Sequence, residues 1–421
     1  MTRAQAPTLE RMRELVRLMG DPQEAYEVIH LTGTNGKGST ARMITSLLAS
    51  KGLSVGMYTS PNLARVNERI SWGAEPISDD DLVGLLGLLE ALEQVCTSQP
   101  TRFELLTAAA LRWFADVAVD VAVVEVGIGG LWDATNVVNA AVACVTNVGL
   151  DHVEILGPEL GDIAREKAGI VKPGSTLVLG ETAPDLAAIF RRAGAARVIE
   201  RDKDFGCQVN RLAIGGRLLD IRTPYGLHED LFLPLHGPHQ GENAAVALAA
   251  VEAFFDAPVD DEVVREAFAA VRVPGRMEVA ARDPLCVLDG AHNVDGARAL
   301  AAALDEDFAV ACGAGVVMVM GLLQGRNPVE MIQAIGVHRL SRVVACMPSS
   351  PRAMPAREVA DAARSLGVAC ETATSVGEAV TAAVAMASPD GALVVTGSLY
   401  VVAEARQAIL DAARRAAACS E

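Results

Sequence analysis

The stretch VIHLTGTNGKGSTARMITSLLASKGLSVGMY, residues 28–58, decides the fold. An apolar run (VIHL) ends in a glycine-rich loop (TGTNGKG), a helix-period pattern follows (STARMITSLLASKG), and a second apolar run (SVGMY) closes the stretch. Met43, Ile44, Leu47 and Leu48 recur on one helical face, so the spacing predicts a βαβ unit. The loop Gly33-Thr34-Asn35-Gly36-Lys37-Gly38-Ser39-Thr40 joins strand to helix. Its amides and the helix N-terminus can hold phosphate oxygens while the Lys37 ammonium meets their charge. That geometry suits a nucleoside triphosphate, with Thr34, Asn35, Gly36, Lys37, Gly38, Ser39 and Thr40 as candidate contacts; a glycine-rich turn of purely structural use is the alternative. The loop departs from the general phosphate-loop pattern, because Leu31 stands at the first glycine position and Gly38 separates Lys37 from the hydroxyl residue.

Outward from this unit, VAVVE (121–125) and AVACVT (141–146) are short continuous apolar runs, as expected of parallel strands covered on both faces by helices. Residues 207–235 alternate and are rich in turns, which suggests a small antiparallel excursion attached to the same domain; the helical pattern GENAAVALAAVEAFF follows. Pro and Gly interrupt VRVPGRMEVAARDP (271–284), and strands LCVLD, GVVMVMG, RVVACM and GALVVTG then alternate with Ala-rich helices. The expected fold is α/β with two domains. Residues 1–273 form an N-terminal, P-loop NTPase-like domain with a mostly parallel sheet, flanking helices and the antiparallel excursion. Residues 274–282 form a linker, and 283–421 a C-terminal Rossmann-like α/β domain.

The chain of 421 residues carries a net charge of −17, which opposes nucleic acid and anionic membrane surfaces, since both are bound through clustered Lys and Arg. Its 8 cysteines form no C-x-x-C pair and read as reduced thiols. No signal-peptide pattern or membrane-length apolar run is found, so a cytoplasmic protein is expected.

Taken singly, further polar residues have plain readings. Ser60 in TSPNLARVNERI is a turn residue, His152 in TNVGLDHVEILG an ordinary imidazole, Lys167 in AREKAGIVKPG a solvated lysine and Asn243 in HQGENAAVALA a helix N-cap. Glu125 ends a buried strand, where doubly wound sheets bind ligands and where a carboxylate needs a cation or donors.

Together, however, GTNGKGS, DATNV, HQ-x-x-NA, DGAHN and TGSLY, in this order, resemble the Mur ligase superfamily in its bacterial folylpolyglutamate synthase/dihydrofolate synthase branch. The resemblance runs from about residue 8 to about 407. It implies ATP-dependent addition of L-glutamate to dihydropteroate or to the terminal glutamate of a folate, through an acyl phosphate, by a monomer with ATP bound between its domains.

It further implies magnesium on Ser60, Glu125 and His152, a carbamylated Lys167 holding a second magnesium, and potassium as a further candidate ion. That carbamate requires a neutral amine, hence a lysine that is desolvated or close to other cations. Magnesium prefers oxygen, so His152 as a ligand follows from the resemblance and not from its chemistry. Asp133, Thr135 and Asn136 are implied beside the pterin, Asn243 at the adenine, and Thr396, Gly397 and Ser398 on the glutamate side. Arg276 and His292 are implied at the transferring phosphate, and Asp289 there or at the ribose.

The chain departs from the family in several places. Leu131 replaces an Arg found in many members, GRN (325–327) stands where many members have an acidic DKD, Val294 replaces the Pro usual after AHN, and against the family pattern a leading segment of about one helix is expected to be missing before Thr8. A UDP-muramyl ligase of the same superfamily, or a non-catalytic nucleotide-binding protein on this scaffold, are the rival readings.

Overall fold

Strand β1 (Glu27–Thr32) is buried along all but its first residue, and helix Lys37–Ser50 leaves its end by way of the glycine loop. Met43, Ile44, Leu47 and Leu48 are fully buried, so the predicted helical face is the one that packs. The computed structural model describes residues 8–418, with side chains through residue 410. By proximity of its parts the chain forms two compact units. One holds the chain to Arg211, Leu218–Pro234 and Gln240–Val271; the other holds Leu212–Arg217, Leu235–His239 and the chain from Arg272 onward.

The first unit carries an eight-stranded sheet. Its strands are β1, β2 (Val55–Tyr58), β3 (Ile70–Trp72), β4 (Glu75–Pro76), β5 (Val121–Glu125), β6 (Val142–Val145), β7 (Thr176–Leu179) and β8 (Arg197–Glu200), ordered β4-β3-β2-β5-β1-β6-β7-β8. All pairings from β2 to β8 are parallel, as predicted; β3 and β4 add an antiparallel edge that the apolar pattern did not reveal. The register sets Tyr58, Val124, Val145 and Leu177 on one face of the sheet, where Leu111 and Phe114 cover the β2–β5 side and Ala164 and Phe190 the β6–β7 side.

The central position of β1 matters for function. It pairs with β5 on one side and β6 on the other, in a register that sets Leu31 beside Glu125 and Thr32 beside Val145. The chain reverses its direction of winding there, so the loops after all three strands leave the same carboxyl edge around a crevice, the usual ligand position in such sheets.

Strands β9 (Gly206–Ala213), β10 (Gly216–Thr223) and β11 (Gly226–Leu233) form the predicted small sheet, ordered β11-β10-β9. The turns joining them are too short for anything but antiparallel neighbours. Segments 212–217 and 235–239 belong to the second unit, where the buried Arg217 reaches Asp307 at 3.0 Å and His236 Nδ1 reaches the same carboxylate at 3.2 Å.

The sheet of the second unit comprises β12 (Glu278–Arg282), β13 (Leu285–Leu288), β14 (Val316–Met320), β15 (Leu340–Ala345), β16 (Cys370–Thr372) and β17 (Ala392–Thr396), ordered β12-β13-β17-β14-β15-β16. The four strands read from the sequence are parallel neighbours, and β12 pairs with β13 antiparallel at the edge.

Two departures from the family pattern have local explanations. Asn327 of GRN caps helix Pro328–Ile335 by accepting from Val329 and Glu330, and Val294 is the first residue of helix Val294–Glu306, where proline is favoured but not required. Among the described residues no helix is long and apolar enough to cross a membrane.

Candidate active site

The phosphate-loop candidate turns at Gly36, whose φ of +83° is open to glycine, and the helix it starts has no side-chain cap on its leading amides. Lys37 folds back over the loop, its Nζ donating to the Gly33 carbonyl at 2.9 Å and the Thr34 carbonyl at 3.2 Å. The N–H groups of Thr34 and Asn35 are used inside the protein, the first by the Asn147 carbonyl at 3.0 Å and the second by Asn147 Oδ1 at 2.9 Å. Ser39 and Thr40 are buried, and Thr40 Oγ1 has no hydrogen-bond partner among the described residues.

Register brings Glu125 to this loop. Its buried carboxylate accepts the Ser60 N–H at 3.1 Å and lies 3.5 Å from where a Cβ on Gly38 would stand. Ser60, Glu125 and the helix start are therefore one constellation, and its oxygens suit a hard divalent cation. His152 follows β6 with a left-handed φ of 50°, its own N–H bonded to Asp151 Oδ1 at 2.8 Å. Among the described residues no three His, Cys, Asp or Glu side chains converge as a metal cluster. Ser60 and Glu125 could hold a divalent ion there, and His152, on the adjoining loop, is the third candidate ligand.

Lys167, on helix Leu160–Ala168, is not the solvated lysine that its charged neighbours suggest: it is 3% exposed and donates to the Gly33 carbonyl at 2.9 Å. Burial, joined by the nearby Lys37, pushes its ammonium down to about 7 against the opposing pull of Asp151, Glu166 and Asp133. The condition for a neutral amine is met.

Asp133, Thr135 and Asn136 are engaged within their own loop. Asp133 Oδ2 accepts from Ile128 N at 3.0 Å, and its Oδ1 accepts from the Thr135 N–H and hydroxyl at 3.0 and 2.6 Å. Burial raises the Asp133 carboxyl despite these bonds. Thr135 Oγ1 lies 2.8 Å from Nε2 of the fully buried His30, which burial pushes down to about 3. Asn136 Nδ2 donates to Leu131 and Gly169 carbonyls at 2.9 and 3.1 Å. These side chains shape the loop rather than project from it. Leu131 is half-exposed.

Asn243 is not a helix N-cap, since helix His239–Phe255 begins four residues earlier; its Nδ2 donates to Gln240 Oε1 at 3.0 Å. Its Oδ1 lies only 2.3 Å from where a Cβ on Gly36 would stand, so it abuts the phosphate loop.

In the second unit, Asp289 Oδ2 accepts from Met277 N at 3.0 Å and its Oδ1 from Ala291 N at 2.9 Å, which fastens the linker strand to the DGAHN turn. Arg276 lies over Gly290, its Nη1 2.8 Å from where a Cβ would stand, and His292 Nδ1 is 3.2 Å from the Gly290 carbonyl. Gly397 N bonds to the Ala291 carbonyl at 3.1 Å, and the buried Ser398 Oγ accepts from Val401 N at 3.3 Å. Arg276, Asp289, His292 and the TGS turn therefore form one cluster at the carboxyl ends of β13 and β17.

The chain matches the Mur ligase middle domain over residues 31–251 and the Mur ligase glutamate ligase domain over residues 275–399. It is 38% identical to the dihydrofolate synthase/folylpolyglutamate synthase of Mycobacterium tuberculosis, covering 95% of this chain and 89% of that protein. The chain belongs to the folylpolyglutamate synthase/dihydrofolate synthase family of Mur ligases. It is, with that family, a ligase. The Mycobacterium tuberculosis folylpolyglutamate synthase complexed with ADP and AMPPCP superposes with a TM-score of 0.91 at 38% identity, covering 96% of this chain and 95% of that one. A bifunctional family member with Mn, AMPPNP and L-glutamate bound superposes with a TM-score of 0.85 at 29% identity, covering 97% and 95%.

Four residues around the site escaped the motif reading: Asn147, Glu166, His30 and Arg42. Glu166 accepts from Trp132 N at 3.3 Å and holds the glycine turn ahead of Asp133. Arg42 is largely buried, which lowers its pKa while Glu125 and Glu68 oppose that shift. Asn147 carried a usable signal, a polar side chain just past a buried strand at the ligand edge of a parallel sheet. The burial of His30 inside an apolar strand carried none.

Proposed function

We propose that this ligase joins L-glutamate to dihydropteroate, to the terminal glutamate of a folate, or to both, through an acyl phosphate, releasing ADP and phosphate. The observation that carries this reading is the convergence of the phosphate loop, Ser60, Glu125 and Lys167 at the carboxyl edge of β1, β5 and β6. Nucleotide and a divalent metal are supported by the bound groups named for the relatives.

In this reading residues 1–273 bind ATP, 274–282 link, and 283–421 form the glutamate ligase domain. The helix-start amides and Lys37 hold the polyphosphate, with Thr34, Asn35, Ser39 and Thr40 shaping their setting. Ser60, Glu125 and His152 would hold magnesium, which supplies charge neutralisation at the phosphates. Lys167, carbamylated by CO2, would hold a second magnesium; potassium is a further candidate on the resemblance alone.

The acceptor's carboxylate attacks the γ-phosphorus, ADP leaves, and the glutamate amine then displaces phosphate to form the amide. Arg276 and His292 neutralise the transferring phosphate, and Asp289 orients that phosphate or the ribose. Asn243 serves the nucleotide, Asp133, Thr135 and Asn136 shape the loop at the pterin end of the acceptor, and Ser398 serves the glutamate. The family resemblance supports a cytoplasmic monomer, and the net charge of −17 supports small-molecule substrates over nucleic acid.

The test is ADP release with ATP, magnesium and L-glutamate, in parallel with dihydropteroate, tetrahydrofolate and a UDP-muramyl acceptor, following the product by mass. One glutamate gained on either of the first two is the expected result. Ligation to the muramyl acceptor alone, or no turnover, overturns the reading.

A further inference from the structure

Past β6 the chain runs Thr146-Asn147-Val148-Gly149, and these residues take up the hydrogen-bonding groups in the first half of the phosphate loop. Asn147 Oδ1 accepts the Asn35 N–H at 2.9 Å while its Nδ2 donates to the Asn35 carbonyl at 3.1 Å. One side-chain amide thus pairs with both main-chain groups of a single residue, as an adjacent strand would. Thr146 Oγ1 adds a second bond to the Asn35 carbonyl at 2.6 Å. The Thr34 N–H bonds to the Asn147 carbonyl at 3.0 Å. Thr34 Oγ1 accepts from Gly149 N at 2.9 Å and donates to the Gly149 carbonyl at 3.1 Å.

Glycine at position 33 is what admits this strap. A Cβ there would stand 1.8 Å from Thr146 Oγ1.

The consequence concerns which amides a polyphosphate can meet. With the Thr34 and Asn35 N–H groups committed to the strap, the turn is held at its entry, and the uncapped start of helix Lys37–Ser50 is what remains to face a ligand. The same segment continues within a few residues to Asp151 and His152, so a shift of the loop and a shift of His152 are mechanically joined.

We infer that Asn147 is a positioning residue for the nucleotide: its side-chain amide locks the Thr34–Asn35 turn so that the helix-start amides converge on the polyphosphate. This rests on the ATP reading above and adds to it a residue that acts through the loop. Preorganised donors are effective because no reorganisation is needed when the ligand arrives. Removing the Asn147 side chain takes away its bond from the Asn35 N–H and one of the two bonds to the Asn35 carbonyl, which keeps the Thr146 hydroxyl, and returns mobility to the turn.

The experiment titrates magnesium AMPPCP into the full-length wild type, Asn147→Ala and Asn147→Asp by calorimetry, with steady-state kinetics and melting curves on the same samples. Two lost hydrogen bonds predict about 10-fold weaker binding for Asn147→Ala, with KM for ATP raised in proportion and KM for L-glutamate unchanged. Asn147→Asp keeps an acceptor for the Asn35 N–H but sets a carboxylate against the Asn35 carbonyl, so it binds no better than the alanine variant.

Wild type and both variants binding alike overturns this inference and leaves the ATP reading standing. A wild type that binds no nucleotide overturns the ATP reading itself. A lowered melting temperature with an unchanged KM for ATP assigns Asn147 to the scaffold and also overturns the inference. Should the Asn147 variants fail to fold, Thr146→Val decides: it removes the 2.6 Å bond without changing shape, and an increase of about 2- to 10-fold in KM for ATP supports the strap, whereas none rejects it.

Discussion

Lys37 and Lys167 donate to the same acceptor, the carbonyl oxygen of Gly33, each from 2.9 Å. Two ammonium groups on one oxygen in a buried place repel one another, and burial together with Lys37 pushes Lys167 down to about 7. The neutral amine of Lys167 therefore gains on the ammonium as pH rises through 7 and gives way to it below. With 13C-bicarbonate, the wild type is expected to show a lysine carbamate carbon resonance that grows over that interval. Lys167→Arg keeps a cation at Gly33 but offers no capturable amine. It should lack the resonance and lose ligase activity by about 10²–10³-fold, whereas undiminished activity would remove the carbamate from the mechanism.

Glu125→Gln tests the divalent-ion position without disturbing the strand. A glutamine oxygen still accepts the Ser60 N–H that the carboxylate holds at 3.1 Å, so the fold is retained while the charge is lost. The magnesium concentration for half-maximal activity should rise by about 10- to 100-fold. An unchanged magnesium dependence in a folded variant places the ion elsewhere.

Gly33→Ala puts a methyl group 1.8 Å from Thr146 Oγ1 and 3.3 Å from Asn147 N at a φ of +153°. The strap or the loop must move, costing about 1–3 kcal/mol of stability as read by denaturant unfolding. ATP affinity should fall with it. A variant that melts and binds as wild type does would show that the loop relaxes freely.

Away from the site, His228 is buried with Nε2 3.1 Å from Glu252 and Nδ1 2.7 Å from Asp261. Burial opposes the imidazolium, but the hydrogen bonds and charges of the two carboxylates outweigh it, so the folded pKa lies above the ordinary value. The sign follows from proton linkage: this stabilisation is complete below the unfolded pKa and is lost as pH rises through the folded one. His228→Gln should cost about 1.5–3 kcal/mol at low pH and less above neutrality, measured by urea unfolding across the range. A pH-independent loss would mean that the ring is neutral throughout.

Much of this was legible in the residues, because periodicity and turn chemistry are local. VIHL, VAVVE, AVACV, LCVL, VVMVM and ALVVT are apolar but for His30, Glu125 and Thr396, and each became a strand buried over most of its length. The short antiparallel pieces were not legible. Ile70–Trp72 and Glu75–Pro76 carry no apolar run; the first is a strand because β2 offers a free edge and the second because it pairs with the first, and Glu278–Arg282 likewise depends on β13.

The candidate site divides along the same line. By itself the sequence determined that a glycine loop follows a buried strand and opens a helix, that Glu125 ends another such strand, and that the family motifs occur in order. Only the tertiary structure decided that Lys167, 134 residues from Gly33, is buried against its carbonyl, and that Asn147, 112 residues from Asn35, pairs with its main chain. The physical reason is that strand order, not chain order, sets these neighbours. Placing β1 between β5 and β6 brings three distant loops to one sheet edge, where Lys167 is buried and Asn147 is hydrogen-bonded to the glycine loop.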